Sequence, residues 1–384
     1  MKNFFFNMPT SVEFGVDIIE KIGQKVNELG KSKALIITDK GIISAGLLEN
    51  IKKSLQYNDI AYDIFDEVES DPGIQTIEKG VTITKGKDYD ILIAVGGGSS
   101  IDTAKSISIL ITNGGRIQEY AGVNKVLKKG MPLIAVPTTA GTGSEVTTFA
   151  VLSDLENNLK FTISSRYLAP QLAILDPSLT ITLPSKITAA TGMDALTHAI
   201  EAYTSLISQS PANALALYAI KLILKYLPKA VANGEDLVAR TKMLEAQLMA
   251  GIAFNNALLG LSHAIASPLG AHFHIPHGIA NTIMLPYVME YNLPACKEKF
   301  AEIARLIIDK NPKSFSEAEL AYETIQTIKK LAKEIEMPQK LREVGVNEEG
   351  LKKVAKDALK SGMLKFNARK ANEMQILEVL KKAF

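Results

Sequence analysis

The chain has 384 residues, long enough for two domains, and its 47% hydrophobic and 22% charged content is that of a folded globular protein. Its 43 basic and 41 acidic residues nearly cancel to a net charge of +2, which excludes the basic excess of a nucleic-acid binder. One cysteine, Cys296, excludes an internal disulfide framework; no apolar run nears the ~18 residues of a membrane span, and MKNFFFNMPT lacks the ~7–15-residue apolar core of a secretory signal. A cytoplasmic protein without nucleic-acid or membrane partners is the expectation.

Residues 4–14 form an aromatic, extended segment. Asp17 to Leu29 has helical periodicity and stops at Gly30, a good residue for leaving a helix. KALIITDK then reads as a strand buried on both faces, ending at Asp39. A helix follows at about 47–56, a strand at 61–65, a turn at Asp71-Pro72-Gly73, and a helix at about 74–86. This alternation predicts βαβ units and a mostly parallel sheet.

Two turns stand out in this half. The strand Ile91 to Val95 runs into Gly96, Gly97, Gly98, Ser99 and Ser100, then an amphipathic helix from about Ile101, with Asp102 in its first turn. Glycines let a pyrophosphate approach the backbone, and the helix N-terminus favours an anion. The spacing is not G-x-G-x-x-G, and a tight turn without ligand would carry the same residues. The second turn follows the strand Leu133 to Val136: Thr138, Thr139, Thr142, Ser144 and Thr147 offer hydroxyls beside two glycines. Two such strand ends point to a ligand crevice at the carboxyl edge of the sheet. Asp39, also at a strand end, suits a ribose hydroxyl and would repel a 2′-phosphate, favouring NAD over NADP; it equally suits a helix N-cap. Residues 149–167 read as further strand, and the alternation ends in QLAILDPSLTITLP, which places a domain boundary between 183 and 184.

Beyond Pro184 long helical patterns take over, at about 185–205, 211–232, 236–256 and 258–267, with more to Phe384, predicting an all-helical domain. In the first of them Asp194 and His198 lie four residues apart, one turn apart on one face. Met193, Leu196, Ala199 and Ile200 make the neighbouring positions apolar, and a buried carboxylate calls for a partner, for which a cation is suited. Residues 260–280 supply four of the five histidines. His263 and His277 would lie ~21 Å apart on one straight helix, too far to share an ion. Pro268, Gly270 and Pro276 are expected to break the segment and let it fold back. Spacing leaves His272, His274 and His277 equivalent as companions of His263. Phe254 and Phe149 read as pocket walls or as plain core.

GGGSSID (96–102), PTTAGTGSE (137–145), ATGMDALTHAIEAY (190–203), AGIAFNNALLGLSHA (250–264) and PHGIANTIMLP (276–286), in this order, make the chain resemble the iron-containing (group III) alcohol dehydrogenases from end to end. The resemblance implies a dinucleotide-binding α/β domain (1–183) and an all-helical metal-binding domain (184–384), the dehydroquinate synthase-like architecture, with the active site in the cleft between them. It implies Asp194, His198, His263 and His277 as ligands of a divalent metal, Fe²⁺ foremost, with Zn²⁺ or Mn²⁺ in some members; a mixed O/N set accepts several ions. It implies Gly96, Gly97, Gly98, Ser99, Asp102, Thr138, Thr139, Thr142, Ser144, Thr147, Lys160 and Leu179 around NAD(H), and Asp39 as the acidic position of NAD preference. Many members carry a second histidine four residues after the ligand matched by His263; here that position is Ser267. Proton transfer is then left to Ser267 with water, His272, His274 or the cofactor ribose.

The expected function is an NAD(H)- and metal-dependent alcohol dehydrogenase or aldehyde reductase for a small primary alcohol or aldehyde, assembled as a homodimer or larger. Two alternatives use similar parts. A dehydroquinate-synthase-type lyase also combines NAD with a metal, but would need a basic pocket, and 250–280 has no Lys/Arg cluster. A catalytically inactive nucleotide-binding protein would be expected to lose some of the four ligands.

Overall fold

The computed structural model describes residues 3–154, 159–307 and 315–384. By internal packing the chain divides into two compact units, Met8–Leu183 and Pro184–Phe384, the latter joined by residues 3–7.

The first unit is built on a six-stranded sheet of β1 (Ser11–Phe14), β2 (Lys33–Ile37), β3 (Ala61–Phe65), β4 (Ile91–Gly96), β6 (Leu133–Pro137) and β9 (Leu172–Leu175). Their order is β1-β9-β6-β4-β2-β3 and every pairing is parallel. The apolar runs of β2, β4 and β6 are buried throughout, as strands covered on both faces must be. Crossovers are made by α1 (Ile22–Glu28), α2 (Lys40–Ser44), α3 (Glu49–Tyr57), α4 (Ile74–Thr84) and α5 (Gly98–Asn113). A smaller sheet of β5 (Gly122–Val123), β7 (Phe149–Asp154) and β8 (Leu159–Ser164) has the order β5-β8-β7, with β7 antiparallel to β8.

Several boundaries differ from the sequence reading. Of the extended segment 4–14 only Ser11–Phe14 is a strand, because only these residues run beside β9. The 149–167 stretch is two antiparallel strands; its residues 155–158 lie outside the described residues. The connecting stretch after it contributes β9, which lies between β1 and β6. α5 begins inside the glycine run, three residues before Ile101. The short α2 carries no sequence signal: it has one turn, too few for periodicity, and is capped by Asp39.

The second unit contains helices and no strand among the described residues: α6 (Ser185–Thr204), α7 (Ser210–Ala232), α8 (Leu237–Ala257), α9 (Leu261–Phe273), α10 (His277–Ile307), α11 (Glu317–Glu334), α12 (Glu348–Ala358) and α13 (Glu373–Ala383). α6 is buried at every position from Gly192 to Thr204, so it is the unit's central helix and not a surface one. Pro268 does not break α9 as expected. It sits inside the helix, and the chain turns instead at Leu258–Gly260 before it and at His274–Pro276 after it, where His274 takes a left-handed φ of 55°. Among the described residues no single helix is long and apolar enough to cross a membrane.

Candidate metal centre and dinucleotide turns

On α6, Asp194, His198 and Glu201 occupy positions i, i+4 and i+7, one stripe of the helix. All three are nearly inaccessible, so a solvated surface Asp–His pair is excluded. His263 lies in the first turn of α9 and His277 opens α10; the turn at 274–276 returns the chain so that their rings lie 5.3 Å apart. Asp194 is the hub. Its Oδ1 lies 3.8 Å from both His263 Nε2 and His277 Nε2, and its Oδ2 lies 4.0 Å from His198 Nε2. Asn281, one turn along α10 from His277, donates from Nδ2 to Asp194 Oδ1 at 2.8 Å and lies 3.1 Å from His277 Nε2. His198 stacks between Phe254 (4.4 Å, 21°) and His263 (4.7 Å, 18°), which fixes the planes of both imidazoles. Burial pushes the Asp194 carboxyl up. His198, His277, His263 and the Asn281 amide outweigh it and leave the group below its ordinary value.

The donor set fits a divalent ion. One ligand atom each from Asp194, His263 and His277 lies within 4.8 Å of the others. Donors ~2.1 Å from one ion stand roughly 3–4 Å apart, the range of the separations found here. His263 Nε2 is buried and has no hydrogen-bond partner among the described residues, although it faces a carboxylate. A buried lone pair of this kind is costly unless something accepts it, and a cation does. Of the four side chains only Asp194 is anionic, so an ion here keeps net positive charge.

Of the remaining candidates in this unit, neither the hydroxyl nor the imidazole proposed for proton transfer is brought to the cluster as an uncommitted group. Ser267 Oγ donates to the His263 carbonyl at 3.1 Å, one turn back along α9. His272 Nε2 lies 2.7 Å from Asp357 Oδ2 on α12. His274 is exposed at the turn.

In the first unit the strand order reverses between β2 and β4: from β2 the chain moves outward to β3, then crosses back to β4 and beyond. Ligands bind outside the carboxyl ends of strands at such a switch point. These two ends carry Asp39 and the glycine turn. Gly96 has φ 148°, and a Cβ there would meet Ser100 Oγ at 2.4 Å, so no other residue fits. A Cβ on Gly98 would meet Thr142 Cγ2 at 2.8 Å, and Thr139 packs over Gly97, so the two turns touch. Thr138 N donates to the Gly96 carbonyl at 3.0 Å. Gly97 precedes α5 and no side chain caps that helix, which leaves the backbone N–H groups of Gly98 and Ser99 for an anion. Asp39 caps α2 through Oδ1, which accepts from Ile42 N at 3.1 Å, while its Oδ2 lies beside Gly96. The cap reading of Asp39 holds, and the carboxylate stands at the strand end beside the glycine turn.

Asp102 turns inward from α5. It accepts from Ser144 Oγ and from Val151 N (2.9 Å), and burial pushes its carboxyl up. Lys105, marked by no motif, is inaccessible and donates to Ser144 Oγ (2.9 Å), Thr147 Oγ1 (3.1 Å) and the Phe149 carbonyl (2.7 Å). Asp102, Ser144 and Thr147 therefore lock the second turn onto α5. Lys160 on β8 pairs with Asp71 at 2.6 Å. Leu179 is part of the apolar core under β4, β6 and β9.

The comparisons with known proteins agree in both halves. Residues 9–177 match the family described as "Iron-containing alcohol dehydrogenase", and residues 188–384 match "Fe-containing alcohol dehydrogenase family, C-terminal". The chain is 41% identical over 383 residues to the NAD-dependent methanol dehydrogenase of Bacillus methanolicus, covering 100% of each. It is 42% identical over 383 residues to the 1,3-propanediol dehydrogenase of Klebsiella pneumoniae, covering 99% of each. Among solved structures, a 1,3-propanediol oxidoreductase superposes with TM-score 0.97 at 42% identity, covering 100% of both chains. The sulfoacetaldehyde reductase of Bifidobacterium kashiwanohense in complex with NAD⁺ superposes with TM-score 0.90 at 30% identity, covering 100% of this chain and 99% of that one.

Proposed function

The chain belongs to the iron-containing alcohol dehydrogenase family, and on that premise we propose that Asp194, His198, His263 and His277 hold the divalent ion with which it interconverts a small primary alcohol and its aldehyde. The enzyme is an NAD- and metal-dependent oxidoreductase. The observation that carries the site assignment is the buried, unpartnered His263 Nε2 facing Asp194 at 3.8 Å, with two further imidazoles around the same carboxylate.

When bound, the ion supplies Lewis acidity, polarising an aldehyde oxygen or lowering the pKa of an alcohol hydroxyl, and NAD(H) accepts or supplies the hydride. An alcohol oxidised to its aldehyde reduces NAD⁺ to NADH and releases one proton. The chain's own work is to bind and orient. Asp194 and Asn281 fix each other, and the stacked Phe254, His198 and His263 rings hold the ligand planes in place. Gly96 to Ser99, with the α5 N-terminus, form the pyrophosphate seat, and Thr138, Thr139 and Thr142 pack the second turn against it. Asp39 supports NAD over NADP by charge. Asp102, Ser144 and Thr147 act by holding that seat together, and Lys160 and Leu179 by shaping the fold around it.

Fe²⁺ is the ion we assign, with Zn²⁺ and Mn²⁺ accepted by the same donors. We assign a cytoplasmic homodimer or larger assembly. Support comes from β1, an edge strand with one side unpaired in its sheet, and from Phe4 and Phe5, which are 59% and 80% exposed. The test is absorbance at 340 nm with an alcohol and aldehyde panel, NAD(H) and NADP(H), on protein loaded with Fe²⁺, Zn²⁺ or Mn²⁺. Metal-dependent net NADH formation is expected. Its absence with every alcohol, or turnover undiminished after chelation, would refute the reading.

A further inference from the structure

α9 begins without a cap of its own: Gly260 precedes it and no side chain of that segment closes the first turn. Its backbone donors are met from elsewhere. Glu201 on α6 accepts from Gly260 N (2.9 Å, Oε2) and Ser262 N (2.6 Å, Oε1), and Asn367 Oδ1 accepts from Leu261 N at 3.2 Å. The N–H groups and the positive end of the helix dipole suit a carboxylate at this place. The same Glu201 Oε2 lies 2.7 Å from His263 Nδ1.

An ionised carboxylate only accepts hydrogen bonds, so the proton in that contact belongs to Nδ1. The lone pair is then on Nε2, the atom that faces Asp194. In solution a neutral imidazole favours neither arrangement enough to hold one, and a second hydrogen bond is what selects it. We propose that Glu201 is a positioning residue for the metal centre: it closes the first turn of α9 and, with the same carboxylate, locks His263 in the Nδ1–H tautomer with Nε2 aimed at the ion. The inference rests on the reading of His263 as a ligand. No signal in the sequence marked Glu201 beyond its i+7 position from Asp194.

The test uses the full-length protein, wild type and Glu201→Gln. Glutamine offers one acceptor where three donors converge, and its amide can donate to Nδ1. Two-bond ¹H–¹⁵N spectra of the metal-stripped wild type, with His263 assigned by its loss in His263→Ala, should show the Nδ1–H tautomer. The Nε2–H form overturns the proposal, whether or not the variant folds. In Glu201→Gln the Nδ1–H preference should be lost, and Zn²⁺ affinity by chelator competition should fall about 10–100-fold. In the His263→Ala background the same substitution should cost less than about twofold, because the two residues act as one unit. Equal losses in both backgrounds would make Glu201 a helix cap only, and unchanged affinity would remove it from the centre. A wild type that shows the Nδ1–H tautomer but binds no Zn²⁺ would instead defeat the ligand reading.

Discussion

We predict that Lys105→Met removes a pH-dependent part of the stability of the α/β unit. Lys105 is inaccessible, and burial pushes its ammonium from the ordinary 10.5 down to about 8, against the pull of Asp102 and Glu145. In the unfolded chain the amine keeps its proton to 10.5; in the fold it loses it near 8. Between those values the unfolded state binds more protons, so stability rises with pH across that window, and the cost of burying the charge is fully present below it. At ~1.4 kcal/mol per pH unit the drop is worth about 3 kcal/mol. Methionine fills similar volume and does not titrate. Its absolute stability will be lower, because Ser144, Thr147 and the Phe149 carbonyl lose a donor, and the pH dependence of the difference follows from the Lys105 proton. The assay is equilibrium urea unfolding at pH 7, 8, 9 and 10, following the transition of the α/β unit. Wild type minus variant should climb by about 2–3 kcal/mol from pH 8 to 10. A flat difference would refute the reasoning and mean that Asp102 and Glu145 offset the desolvation of Lys105 in full.

His263→Ala should reduce turnover by at least ~100-fold, through lost metal, while NADH fluorescence titrations on the variant stay within about twofold of wild type. Gly96→Ala forces a Cβ into Ser100 at a φ of 148°, so it should destabilise the unit by roughly 1–3 kcal/mol and weaken NADH binding about tenfold or more; normal binding would remove the glycine turn from the cofactor site. Asp39→Asn keeps an acceptor for Ile42 N while removing the charge. The NAD over NADP preference in kcat/KM should fall by about tenfold, the worth of ~1.4 kcal/mol of repulsion, and an unchanged ratio would leave Asp39 as a cap alone. A monomer by light scattering at micromolar concentration would contradict the oligomer assignment.

What the sequence makes legible follows from how local each signal is. The parallel sheet is written in short apolar runs between helical stretches, and Asp194 and His198 in a single turn of α6. Both need only period and spacing. The metal cluster as a whole is not local: His263 and His277 meet through a turn at 274–276 that contains Pro276 as expected, while Pro268 and Gly270 stay inside α9, since a proline can sit inside a helix when packing holds the helix together. Nothing local marks Glu201 until the start of α9 presents two backbone N–H donors and a ring nitrogen to it. Lys105 is not legible either, because no local pattern shows that Ser144, Thr147 and Phe149, about 40 residues on, surround its ammonium. Ser267 is the opposite case. The residue is plain in the sequence, and only the structure shows its hydroxyl given to the His263 carbonyl.

The position of the ion decides the assignment of the site. Anomalous diffraction at the iron edge from crystals of Fe²⁺-loaded protein should give one peak per chain, about 2.0–2.3 Å from the Asp194 carboxylate and from Nε2 of His198, His263 and His277. A protein that oxidises alcohols with its iron bound elsewhere, or with no iron at all, would contradict it.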